Sequence, residues 1–375
     1  MSKATQTASI VALIERNQSV LEGDHLLIAG APPLDLCRAD LPLVERLTVL
    51  AEHRGLWARL NQEEGVDARF TFTARGDEAA QRLLFFWPKS HEAAIFLLEQ
   101  ARCGLAPDGE LWLVGENQGG IKQAPKRLAP LLDGPLELVD NARRCRIFRG
   151  RLRAQGEPPQ SNEVPWTHWS LPCERGAALT ICSLPGVFAH GALDTGSARL
   201  IEQLRRRHKQ ARQALDFGCG AGPLGLTLLQ EELAEVVELA DVSAIALAAA
   251  EESARQNGLD DRVRLRPVIG AASLQEEAQG PGSSPGTRYK LIVSNPPFHE
   301  GRSTSYQPSR DLIERSPKLL RRGGELYLVA NRFLPYQEPL QHAFGSEKVS
   351  ILWDGPRFRV YHGTRRSPRS LKRHP

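Results

Sequence analysis

The sequence predicts an α/β protein in which one doubly wound architecture is written twice in tandem. Each copy is a mostly parallel sheet closed by an antiparallel hairpin, and the N-terminal copy is degenerate. Three observations carry this. In the second half, continuous apolar runs alternate with helix-compatible stretches, as buried parallel strands and their crossover helices do. The last two strand-like runs flank a short D-G-P turn, which fits a hairpin. Strand-sized peptides of that half also recur, in the same order, in the first.

In the second copy, a helix-compatible stretch from Asp194 to Arg212 leads into QALDFGCGAG, an apolar strand ending in a glycine loop. The strand VVELADVS follows, then the helical AIALAAAEESARQNG, with Gly258 where a helix C-cap glycine belongs. KLIVSNPPF is a strand that ends in prolines; DLIERSPKLLRR is a helix and GGELYLVANRF the next strand. SEKVSILW and RFRVYHG form the closing hairpin. In the first copy, GELWLVGEN reads against GELYLVAN, with Trp112 facing Tyr327, and RCRIFRG reads against RFRVYHG. LLIAGAPP sits where LDFGCGAG sits, with Ala31, Pro32 and Pro33 in place of a glycine loop. LLFFWPKS sits where LIVSNPPF does, with Trp87, Pro88 and Lys89 read against Asn295, Pro296 and Pro297.

The domain boundaries follow from these matches. Residues 1–155 are read as the degenerate copy, 156–172, rich in Pro, Glu and Ser, as a linker, 173–364 as the copy that keeps its glycine loop, and 365–375 as a basic tail. Gln275 to Thr287 reads as an extended surface loop. A length of 375 residues with 41% hydrophobic and 25% charged side chains excludes disorder, collagen and coiled coil as descriptions of the whole. The formal charge of +4 neither demands nor forbids a polyanionic partner, so the clustering of cations matters more. No apolar run approaches the roughly 18 residues that cross a bilayer, and a cytoplasmic protein with no membrane partner is expected. The six cysteines include no C-x2-C pair; packing cysteines and no metal are expected.

Two motifs carry chemistry. In Asp216 to Gly222, glycines 218, 220 and 222 let backbone approach a ligand closely, and Pro223 suits the first turn of the helix that follows. The dinucleotide fingerprint wants a glycine where Pro223 stands, which weakens a nicotinamide-dependent oxidoreductase reading. Asp241, at the end of the next strand, is placed to accept hydrogen bonds from a ribose diol, or else to cap the helix after it. The second motif is Asn295-Pro296-Pro297-Phe298 at the carboxyl end of a strand, where open α/β sheets bind ligands. The prolines fix the Pro296 carbonyl. With the Asn295 side-chain oxygen it could accept both protons of a planar exocyclic amine and turn the nitrogen lone pair out of conjugation. Phe298 offers a face on which a flat ring can stack. An amine so aligned can attack an electrophilic methyl without a general base. The bland alternative is a loop-forming strand exit.

The order glycine loop, acidic ribose position, N-P-P-F resembles the class I S-adenosylmethionine-dependent methyltransferases that modify exocyclic amino groups. Phe298 with His299, LPGVFAHGALDTGS, GGELYLVANRFLPY, WPKS and LVGENQGG together resemble the small-subunit ribosomal RNA guanine-N2 methyltransferases, the RsmC family. The resemblance implies two tandem Rossmann-like methyltransferase domains, the first degenerate, and S-adenosylmethionine as cofactor. It also implies ribosomal RNA, of the small subunit, as partner rather than DNA. It further implies that Gly218, Gly220 and Gly222 line the cofactor, Asp216 orders the loop, Asp241 takes the ribose, and Asn295, Pro296 and Phe298 hold the guanine. Phe188, Asp194 and Gly196 would border the cofactor's methionine end. PVIGAASL lacks the polar residue such enzymes offer to adenine. Cys219 reads as a small filler. A large-subunit guanine-N2 enzyme and a non-catalytic RNA-binding assembly factor are the alternatives. Candidate RNA-facing cations cluster at Arg205, Arg206, Arg207 and Lys209, at Arg143 to Arg153, and in the tail.

Overall fold

The computed structural model describes residues 3–154, 164–207, 210–277, 288–296 and 307–366. The chain divides into two compact units, Met1–Pro165 and Trp166–Pro375.

In the first unit, strands β1 (Gly23–Gly30), β2 (Val44–Leu50), β3 (Asp67–Arg69), β4 (Ala80–Phe86), β5 (Leu105–Glu116), β6 (Glu137–Ala142) and β7 (Cys145–Gly150) form one sheet in the order β3-β2-β1-β4-β5-β7-β6. The first five strands run parallel; β7 returns antiparallel to β5 and pairs with β6. The central strands are apolar on both faces because helices cover them: Leu13 and Ile14 of the N-terminal helix pack with Leu26, Ile28, Val49 and Trp112.

The second unit opens with a separate antiparallel pair, β8 (Thr167–Leu171) and β9 (Leu179–Ser183). Its main sheet holds β10 (Ala211–Phe217), β11 (Ala234–Asp241), β12 (Val263–Pro267), β13 (Tyr289–Ser294), β14 (Leu320–Asn331), β15 (Val349–Asp354) and β16 (Phe358–Thr364), in the order β12-β11-β10-β13-β14-β16-β15. Strand for strand this is the order of the first sheet, so the duplicated architecture is a property of the fold. Trp112 and Tyr327, read as equivalents in the sequence, are both almost wholly buried at corresponding places in β5 and β14.

Three local expectations change. The stretch 156–172, read as linker, includes β8: its WTHWS alternation has strand period, which the Pro, Glu and Ser upstream obscured. The helix expected over Asp194 to Arg212 is Thr195–Arg207, and Ala211 and Arg212 already belong to β10. The loop expected from Gln275 begins inside a helix, Ala271–Glu277; residues 278–287 lie outside the described residues, as does the tail from 367. Gly258 takes φ +64° just beyond the Ala244–Gln256 helix, the left-handed exit expected of it. Among the described residues no helix is long and apolar enough to cross a membrane.

Candidate active site

The glycine loop hangs on the neighbouring strand. Gly218 N and Cys219 N both donate to Ala240 O of β11, at 2.8 and 3.1 Å, which carries the chain leaving β10 toward β11. Gly218, Gly220 and Gly222 have φ of +74°, +55° and +83°, the left-handed conformations that glycine adopts without strain. Gly220 also has an open face, since a Cβ there would meet only Val187, 3.9 Å away. A ligand can therefore lie against its backbone. Gly222 instead starts the Pro223–Gln230 helix and packs on Leu239.

Asp241 ties this loop to the sheet. Its Oδ2 accepts from Gly220 N at 3.0 Å and its Oδ1 from Ser243 N at 3.0 Å. The helix that follows is capped by Ser243, whose Oγ accepts from Ala246 N at 3.1 Å, so Asp241 is not the cap. The Val242 N–H also bonds to Asp241, so of a carboxylate's about four lone-pair sites one remains for a hydroxyl donor. Burial holds the Asp241 carboxyl above the usual carboxylate range, against the pull of the N–H groups it accepts from.

Asp216 is wholly buried, and its Oδ2 accepts from Gly225 N at 2.9 Å. It thus fixes the start of the helix rather than the glycine loop itself. Its Oδ1 is buried without a hydrogen-bond partner among the described residues. Burial pushes its pKa up to about 7; the Gly225 N–H opposes the shift and Asp241 adds to it. Its unfolded value is near 3.9, so between about pH 4 and 7 the folded state holds the extra proton and stability falls as pH rises. Asp216→Asn should flatten that slope, read as urea midpoints at pH 4.5 and 7.5; a profile as steep as that of the parent protein would remove the assignment.

Asn295 leaves β13 almost buried, with 6% of its surface exposed. Its Nδ2 donates to Asp194 Oδ2 at 2.8 Å and to Ser197 Oγ at 2.9 Å, while its Oδ1 has no partner among the described residues. Asp194 Oδ2 takes three N–H donors, so the amide nitrogen is the end that faces it and the oxygen is the end left to receive a donor. Asp194 is itself held: its Oδ2 accepts from Gly196 N at 2.8 Å and Ser197 N at 3.2 Å at the start of the Thr195–Arg207 helix. A Cβ on Gly196 would stand 2.9 Å from that carboxylate and 3.4 Å from Val329, so this glycine serves packing. Gly218, Gly220, Phe188, Asp194 and Asn295 line one cleft at the carboxyl ends of β10 and β13. Phe188 is 55% exposed there. Pro296 is buried; Phe298, with Pro297 and His299, lies outside the described residues.

Comparison with known proteins bears on the whole chain. Residues 12–167 match the model "Methyltransferase small domain N-terminal", and residues 178–362 match "Methyltransferase small domain". A Pseudomonas putida protein, "Ribosomal RNA small subunit methyltransferase C", is 40% identical over 93% of this chain and 97% of its own length. The chain belongs to the ribosomal RNA small subunit methyltransferase C family. A Vibrio vulnificus member is 32% identical over 94% of this chain and 97% of its own. The solved "T. Thermophilus 16S rRNA N2 G1207 methyltransferase (RsmC) in complex with AdoMet and Guanosine" shares the fold: TM-score 0.75, 24% identity, 95% of this chain and 92% of that one.

In this family member the sheet registers show which residues of the first copy stand where the second has its site. Ile28 pairs with Val49 and Leu84 as Asp216 pairs with Leu239 and Val293. Counting from these, Ile28 stands for Asp216, Ala51 for Asp241, Pro32 for Gly220 and Phe86 for Asn295. The sequence reading set Trp87 against Asn295; the register moves the match by one residue, and Trp87 faces Pro296. Ile28, Ala51 and Phe86 are buried, apolar replacements for Asp216, Asp241 and Asn295. The chain leaving β1 also turns the other way: Ala31 N donates to Phe86 O of β4 at 2.8 Å, and a Cβ on Gly30 would fall 2.1 Å from that oxygen. The crevice that the second unit opens between β10 and β13 is thereby crossed by backbone between β1 and β4.

Residues missed in the sequence include Ser197, Trp169 and Gly225. Ser197 shares the amide of Asn295, and Trp169 lines the cleft from β8. A Cβ on Gly225 would fall 2.3 Å from Leu239 Cδ2, so this glycine lets helix and sheet meet. Its signal was present: Gly220, Gly222 and Gly225 have the G-x-G-x-x-G spacing, which counting from Gly218 had ended at Pro223. Cys219 is buried and its thiol pKa is pushed well up by burial, as a filler's would be. The basic clusters fare differently. Arg205 is held by Glu231, Nε to Oε2 2.9 Å, and Arg149 by Glu137 at 2.7 Å. The Arg207 side chain and Lys209 lie outside the described residues.

Proposed function

We propose that the second unit transfers a methyl group from S-adenosylmethionine to the exocyclic N2 of a guanine in 16S ribosomal RNA, in the cytoplasm. G1207, the position named for the T. thermophilus neighbour, is the proposed target. The observation that carries this reading is Asn295 itself: a buried amide whose nitrogen is committed to Asp194 and Ser197 and whose oxygen is not committed.

The residues present fit the cofactor. Gly218 and Gly220 offer close backbone, Asp241 keeps acceptor capacity for a ribose diol, and Phe188 lies across the cleft. Where a polar adenine contact was wanted, the 51% exposed Ile269 just beyond β12 offers an apolar face instead. S-adenosylmethionine, when bound, supplies an electrophilic methyl on a positively charged sulfur. The chain's own work is alignment. Asn295 Oδ1 and the Pro296 carbonyl accept the two amine protons of the guanine and direct its lone pair outward, and Phe298 stacks on the ring. A guanine paired in a helix must first be unstacked, at a cost of a few kcal/mol. The first unit, with Ile28, Ala51 and Phe86 where the second has Asp216, Asp241 and Asn295, serves RNA binding or support of the second unit.

Mass spectrometry of ribosomal RNA from a strain lacking the gene should show one small-subunit guanosine that has lost its N2 methyl, restored by the parent gene and not by an Asn295→Ala copy. Unaltered 16S RNA with a missing methyl in 23S RNA would move the activity to the large subunit; no missing methyl anywhere would make the protein a binding factor.

A further inference from the structure

We propose that a concavity at the carboxyl rim of the second sheet, lined by Arg332, Phe333, Arg357 and Arg359, seats the RNA nucleotide next to the methylated guanine. Its phosphates would lie on the arginines and its base on Phe333. The inference rests on the RNA methylation reading above and names a second contact for the same substrate.

The position follows from the sheet. β14 ends at Asn331, which pairs with Phe358, the first residue of β16, and Arg332 N donates to Arg357 O at 2.8 Å. Arg332 and Arg357 therefore leave adjacent strands side by side, at the edge where β13 delivers Asn295. One layer of side chains joins the two places: a Cβ on Gly196 would lie 3.6 Å from Phe358 Cδ1 and 2.9 Å from the Asp194 carboxylate that holds Asn295. Asn331 and Pro356 complete a cavity of about 440 Å³, within the range of clefts that take small ligands.

Its charge and surface suit a nucleotide. Among the described residues Asp354 is the one carboxylate in the group, 3.3 Å from Arg332 Nε and 3.0 Å from Arg359 Nε. Three arginines against one aspartate leave a net positive rim. Arg357 is exposed, has no carboxylate within 4 Å among the described residues, and sits 5.2 Å from the Phe358 ring centroid. Phe333 is 69% exposed, the most exposed aromatic side chain among the described residues. An aromatic ring kept in water beside guanidinium groups that outnumber their one carboxylate is the combination that single-stranded nucleic acid binders use, stacking for bases and cations for phosphates. An acidic peptide would use the arginines and leave the ring unexplained.

The test uses the full chain and a fluorescein-labelled 16S-derived RNA carrying the target guanosine, with affinity read by anisotropy across a salt series. Arg332→Glu with Arg357→Glu should weaken binding at least about tenfold and lower the slope of log affinity against log salt by about 1.4, roughly 0.7 per phosphate contact on a single strand. Phe333→Ala should weaken it about 5- to 150-fold, with Phe333→Trp restoring it. Lysines at 332 and 357 should preserve most of the salt slope. S-adenosylmethionine affinity by calorimetry within about twofold of the parent protein certifies folding in each variant. Unchanged RNA affinity and salt slope in the folded double variant overturns the proposal. So does a silent Phe333→Ala with equal losses on RNA and duplex DNA, which would make the rim a general polyanion patch. If the parent protein itself neither methylates the RNA nor binds the cofactor, the failure belongs to the methyltransferase reading and not to the rim.

Discussion

Asn295→Ala is expected to remove methyl transfer, lowering kcat and kcat/KM together by about 10²–10³-fold or more, with S-adenosylmethionine affinity within about twofold of the parent protein. The truncation takes away the Oδ1 acceptor that has no other partner, and with it the alignment of the amine. Asp194 keeps the Gly196 and Ser197 backbone N–H groups, so the helix start survives. Asn295→Asp should not rescue activity, because the two Nδ2 hydrogen bonds would become an oxygen facing the Asp194 carboxylate and the Ser197 hydroxyl. Single-turnover rates with radiolabelled methyl donor, beside calorimetric cofactor titration, separate chemistry from binding. Parent-like rates in the alanine variant would dismiss the amide's role.

Asp241→Ala is expected to act on the other axis, weakening S-adenosylmethionine binding by about 10- to 100-fold. The carboxylate holds both Gly220 N and Ser243 N, so its loss frees the loop as well as removing the ribose acceptor. Saturating cofactor should recover much of the turnover in this variant and none in Asn295→Ala. Equal cofactor affinity in the Asp241 variant, by calorimetry, would show that the ribose is held elsewhere.

The mostly parallel sheet, the closing hairpin and the repeat were all legible in the sequence, because buried parallel strands are written as continuous apolar runs and turns as Gly and Pro. The glycine loop, Asp241 and Asn295 were legible for a related reason: each sits next to a strand end that the pattern already located. What stayed hidden was pairing across the chain. Asp194 was assigned to the cofactor from its segment, yet it reaches Asn295 across 101 residues, and no periodicity records that contact. Arg205 looked like part of an RNA-facing run, but Glu231, 26 residues on, holds it. The rim arginines went unnoticed for the converse reason: Arg332, Arg357 and Arg359 are scattered in sequence, and the pairing of β14 with β16 brings them together. Trp169 was lost to the composition of its neighbourhood, since proline and glutamate a few residues upstream made a strand look like a tether.

The opposite turns taken after β1 and β10 set the two copies apart in their main chain and not only in their side chains. Ala31 N bound to Phe86 O spans the crevice with main chain, and Gly30 already has no side chain to trim. Grafting glycines at 31–33 and an asparagine at 86 would therefore leave a dead fold, because the route of the peptide has to be undone first.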